Sequence, residues 1–177
     1  MLLRYLAFAA FFLCATSAKA TQSQTGDWAA VRMGNQCFVY TQRAASHTSG
    51  TLIFSFDPEG FNAAFHYQYT AWPGETEAPW DEDDAVLLEV DGAEIWLGEE
   101  MFKDYREGRY VVELTAGFVP DMVLSLLGAT DSVSVALDRT RLGETWVYGL
   151  FSASGFRETL TQAAEWCSFD PHNLPTP

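Results

Sequence analysis

The sequence predicts a mainly β, β-rich α+β domain: an antiparallel sandwich or partly closed barrel with two packed helices. Three observations predict it. Short runs rich in β-branched and aromatic residues alternate with Gly, Pro, Asn and Asp turn signals. Only two stretches carry helical periodicity. Once a leader is set aside, one pair of cysteines, Cys37 and Cys167, brackets nearly the whole chain.

The leader reads as residues 1–20. Arg4 supplies a positive start, Leu6 to Ala15 form an apolar run, and Ser17-Ala18-Lys19-Ala20 offers the small residues that signal peptidase accepts. Cleavage is expected before Thr21, and the apolar run is shorter than the roughly 20 residues a membrane helix needs. Cys14 leaves with the leader. No membrane-spanning segment is expected after cleavage, and residues 21–170 are expected to form one domain with one core. The Pro-rich residues 171–177 are expected to be a flexible tail.

The strands follow in order. Trp28 to Met33 and Cys37 to Arg43 flank the turn Gly34-Asn35-Gln36. Leu52 to Phe56 carries Leu52 and Ile53 beside Phe54 and Phe56, and Asp57-Pro58-Glu59-Gly60 turns it into Asn62 to Tyr69. The segment from Trp72 to Asp84 is irregular and reads as a surface loop. Val86 to Val90 and Glu94 to Leu97 enclose Asp91-Gly92, the strongest hairpin signal in the chain. Arg109 to Leu114 adds a strand, and Ser132 to Leu137 with Thr145 to Phe151 forms a closing hairpin.

Pro120 and Asp121 announce the first helix, because a proline fits an early helical position and an acid favours the positive end of the dipole. Phe118, Met122, Val123 and Leu126 form its expected apolar face, and Gly128 can end it. The second helix starts at Ser154 or Gly155 and carries Phe156, Leu160, Ala163, Ala164 and Cys167 on one continuous stripe.

That stripe turns Cys167 toward the core, so a Cys37–Cys167 disulfide would clamp the end of the helix onto an early strand. Exported cysteines face oxidising conditions, and two of them allow a single intramolecular pairing. In the chain-entropy model such a long loop is worth about 4–5 kcal/mol. These features place the protein in the periplasm or outside the cell. The formal charge is −14, and loss of Arg4 and Lys19 with the leader takes it to −16. A charge of this sign repels phosphate backbones and anionic lipid, which excludes nucleic acid and membrane surfaces as expected partners.

An enzyme needs a nucleophile and a base. His47 lies in a polar turn, His172 in the tail, and only His66 falls within a predicted strand. A hydrolase using His66 is therefore one alternative, although the chain has no Gly-x-Ser-x-Gly, Ser-x-x-Lys or His-Glu-x-x-His motif. Asp81, Glu82, Asp83 and Asp84 offer oxygen ligands of the kind calcium takes, but without the spacing of an EF-hand. A solvated acidic loop is the plainer expectation. No cofactor or bound metal is expected. Trp72 and Trp80, beside Pro73 and Pro79 and next to Asp81 and Asp83, are candidate protein-binding residues, since Trp concentrates at the energetic centres of interfaces. The competing expectation is that both rings cover the core. Trp28, Trp96 and Trp146 fall in strands and are expected in the core.

The order of Gly26-Asp27-Trp28, Cys37-Phe38, the Val90-Asp91-Gly92 hairpin, a helix ending at Leu127-Gly128, and Gly155-Phe156 opening a helix that closes on Cys167 resembles the invasion-associated locus B proteins of alphaproteobacteria. The likeness covers nearly all of residues 26 to 167. It implies an exported, β-rich protein without an established catalytic activity, associated with entry into host cells; an unidentified protein partner is expected to bind through the acidic, tryptophan-bearing loop. The chain departs from the family in its acidic Trp72–Asp84 loop, and in Ser152-Ala153-Ser154, where Ser-Leu commonly precedes the Gly-Phe of the last helix.

Overall fold

A computed structural model describes residues 20–44, 49–70, 84–98, 102–106, 109–115, 118–139 and 142–175. The larger sheet contains β1 (Thr21–Thr25), β2 (Trp28–Met33), β3 (Gln36–Ala44), β4 (Ser49–Phe56), β5 (Ala64–Thr70), β8 (Phe102–Arg106) and β9 (Arg109–Thr115), in the spatial order β1-β2-β3-β4-β5-β9-β8. The smaller sheet contains β6 (Ala85–Val90), β7 (Ala93–Gly98), β10 (Ser132–Arg139) and β11 (Glu144–Ser152), in the order β11-β10-β6-β7. All pairings are antiparallel. Among the described residues the two sheets share no strand, and the architecture is a mainly β sandwich with two helices.

Alternation along the strands fills the space between the sheets. Val39, Leu52, Phe54, Phe65 and Tyr67 from the larger sheet meet Val86, Leu88, Val133, Val135, Leu137 and Phe151 from the smaller one in a single core. The smaller sheet has too few strands to cover the larger one. Helix α2 (Phe156–Cys167) takes the remaining area, packing against β1, β2 and β3, and α1 (Val119–Gly128) packs on α2 and β7. The Arg157 guanidinium donates to the Leu127 carbonyl and so ties the two helices together.

Turn chemistry sets the register. In the β6–β7 hairpin Asp91 (φ 51°) and Gly92 (φ 76°) are both left-handed, the primed turn that matches the twist of paired strands. The Asp91 carboxylate also accepts hydrogen bonds from the backbone N–H groups of Thr130, Asp131 and Ser132 and from the Thr130 hydroxyl, at 2.9–3.0 Å. One side chain thereby fixes the entry of β10 beside β6. The backbone donors hold this exposed carboxyl down at about 2.

Several expectations need correction. Phe118 precedes α1 and is 44% exposed, so the buried face consists of Val119, Pro120, Met122, Val123, Leu126 and Leu127. Strands β1 and β8 lack the apolar alternation that marks a strand; they form at the two sheet edges, where pairing with β2 and β9 supplies the order. The tail is not free through Pro175. Asn173 donates its N–H to the Asp170 carbonyl, and Leu174, only 7% exposed, packs into the core beside Phe169 and Gly60.

Candidate functional site

Among the described residues, two regions stand out: the clasp that closes the domain, which holds the cysteine pair, and the outer face of the larger sheet, which holds His66. In the clasp Cys37 and Cys167 are bonded, with Cα atoms 6.2 Å apart, and both residues are buried. At the other end of α2, Phe156 meets Trp28 edge-on at 4.7 Å and Phe54 at 5.8 Å. Trp28 is fully buried, and its indole N–H donates to the Ser152 carbonyl at 2.8 Å. The Asp27 N–H donates to the Ser154 carbonyl, and the Thr41 hydroxyl donates to the Asp27 carbonyl. The Gly-Asp-Trp turn, the start of the last helix and the cysteine pair are thus one interlocked structure. A small cleft of about 300 Å³, lined by Asp27, Thr41, Gln42, Phe151 and Ser152, opens beside it. A buried disulfide of this kind fits an oxidising compartment.

The outer face of the larger sheet is a grid fixed by register. Phe38 lies between Val31 and Ser55 in one row. In the next, Tyr40 is followed by Ile53 and His66, with Glu113 at the adjoining position. In the third, Gln42, Thr51 and Gln68 form a polar ladder. Beyond Phe38, toward the β2–β3 turn, Gln36 donates to Asp57 at 3.1 Å, and Asn62 donates to the other oxygen of the same carboxylate at 2.7 Å. Between these polar borders Val31, Phe38, Tyr40 and Ile53 are only half-buried, and Met33 is 54% exposed. Together they line a shallow groove of about 520 Å³. A solvated sheet face ordinarily alternates to polar residues, so this is an apolar surface with polar margins.

Among the described residues, His66 is the sequence-predicted candidate that falls on this face; it borders the groove beside Ile53 and Gln68. Trp72, Trp80, Asp81 and Asp83 lie outside the described residues, as does His47, and so do the side chains of Trp96 and Trp146. Asp84 corrects the expectation of a wholly solvated acidic run. It is 3% exposed, with its carboxylate 3.2 Å from the Arg139 guanidinium at the end of β10. Among the described residues no group of three His, Cys, Asp or Glu is placed to hold a metal ion, and no helix is long and apolar enough to cross a membrane.

Sequence reasoning missed the groove. The signal was present in β3 and β4, where Phe38, Tyr40 and Ile53 stand at the positions between core residues Val39, Leu52 and Phe54. A strand apolar at both parities has two faces to cover. No protein family, curated protein or solved structure matches this chain in comparison.

Proposed function

We propose that this chain is an exported, noncatalytic protein-interaction module of the invasion-associated locus B type, working in the periplasm or beyond it through the outer face of its larger sheet. The observation that carries this reading is the half-exposed band of Val31, Met33, Phe38, Tyr40 and Ile53 between polar margins. Interfaces place apolar and aromatic residues inside a polar rim in this way. The buried Cys37–Cys167 bond supports an oxidising location. The interlocked Gly26-Asp27-Trp28 and Gly155-Phe156 segments are the ones on which the family resemblance rests. Through that resemblance, a part in host-cell contact or envelope function belongs to the proposal.

Photocrosslinking in the native envelope tests the reading, with the crosslinker placed at Tyr40. The native chain should capture a discrete protein, and the paired substitution Phe38→Ser with Ile53→Asn should abolish capture in a chain that still melts cooperatively. Undiminished capture by that variant would overturn the surface assignment. Loss confined to Trp72→Ala with Trp80→Ala would move the contact to the acidic loop.

A further inference from the structure

The charge around the groove restricts what can occupy it. Asp57 marks its border at the β2–β3 end, Glu113 holds the register position beside His66, and Asp104 holds the position next to Val111. No Lys or Arg occupies the rows that run through Met33, Phe38, Tyr40 and Gln42; Arg32 and Arg43 hold the alternate register positions, opposite Cys37 and Gly50, and Arg109 pairs with Arg106 beyond them. The whole chain carries 24 acidic residues against 10 basic ones. A second copy would bring the same sign of charge to the same face, and an anionic partner would meet a repulsive field over the whole approach.

We infer that the outer face of the larger sheet seats a basic polypeptide segment whose apolar side chains enter the groove between Met33 and Ile53. This rests on the interaction-module reading above and names its partner by chemistry. The apolar band supplies the dehydrated centre of the contact, and Val31, Phe38 and Ile53 form its floor. The acidic surround draws the partner in and selects against acidic chains, as charge complementarity does more for association and specificity than for burial.

The test uses the purified mature chain and two labelled helical peptides of about 18 residues, one of Leu and Lys and one with Glu replacing every Lys. Fluorescence anisotropy should show the Lys peptide binding at least about tenfold more tightly than the Glu peptide, with the difference shrinking as salt is raised. Phe38→Ser with Ile53→Asn should weaken the Lys peptide by about tenfold, while Leu124→Ser, on the exposed side of α1, should leave it unchanged. Equal affinity for the two peptides, binding by neither, or full binding by the face variant would each overturn the inference. Amide shifts on the native chain give a second readout should the face variant fail to fold. They must centre on Val31, Phe38, Tyr40 and Ile53, and shifts centred elsewhere count against the site. An envelope partner captured at Tyr40 whose crosslinked segment is acidic would sink this inference and leave the interaction-module reading standing.

Discussion

Gly155 lies against Gly26 so closely that a Cβ on Gly155 would stand 3.0 Å from the Gly26 nitrogen and 1.9 Å from the Thr25 carbonyl oxygen. The reverse holds as well: a Cβ on Gly26 would stand 2.4 Å from the Ser154 carbonyl oxygen. Both residues have positive φ, 94° at Gly155 and 57° at Gly26, so a side chain at either would be strained even without the clash. Gly155→Ala should therefore destabilise the domain by about 3 kcal/mol, read as a lower urea midpoint at unchanged slope. Gly26→Ala should act in the same direction. The double variant should cost less than the two single costs combined, because both side chains strain one crossing and the separation forced by the first makes room for the second. A loss below about 0.5 kcal/mol for Gly155→Ala would refute the interlock.

Trp28→Phe isolates the indole hydrogen bond from the ring. The edge contact with Phe156 survives in shape, but the Ser152 carbonyl loses its donor. The expected cost is about 1 kcal/mol, that of one hydrogen bond to a part-buried acceptor, measured by thermal or urea unfolding. A neutral substitution would mean that the carbonyl finds water and that Trp28 acts through packing alone.

The disulfide closes a chain separation of 130 residues. Cys37→Ser with Cys167→Ser should lower stability by about 5 kcal/mol in the chain-entropy model, and reductant should have no effect on that variant while lowering the native chain to the same level. Helix α2 should persist in the variant, because its first turn is held independently by Phe156 on Trp28 and Phe54. Far-ultraviolet circular dichroism below the transition checks this. Loss of the α2 signal with the rest of the fold intact would show that the cysteine pair alone holds the helix.

Patterns with a local physical cause were legible in the sequence. Asp91-Gly92 specifies its turn through left-handed backbone preference. The stripe from Phe156 to Cys167 specifies its helix face through periodicity, and every member of that stripe is buried. Where partners came from elsewhere in the chain, the reading failed. Strand β1, Thr-Gln-Ser-Gln-Thr, is ordered by β2, and nothing in its own residues declares it. Leu174 is buried because Gly60 leaves room for it across more than a hundred residues of chain. Asp84 closes an acidic run in the sequence, yet β10 returns Arg139 to its side. The groove was hidden for a related reason: it takes the register of paired strands to set Phe38, Tyr40 and Ile53 on the opposite face from Val39, Leu52 and Phe54.

Asp91 predicts a pH dependence whose sign can be worked out. Its carboxyl sits at about 2 in the folded chain against 3.8 ordinarily, held down by the backbone N–H groups of Thr130, Ser132 and Asp131. A depressed folded value means that the stabilisation is complete above 3.8 and is lost as the pH falls from there toward about 2, where the folded carboxyl also takes a proton. Asp91→Asn keeps the shape and the tolerance for a left-handed backbone but removes the charge that the backbone donors favour. The variant should thus be less stable than the native chain at neutral pH, and the gap should narrow through this acid window until the two unfolding curves converge. Urea unfolding of both chains at stepped pH measures it. A gap that stayed constant down to about pH 2 would assign the effect of Asp91 to turn geometry and not to its ionised carboxylate.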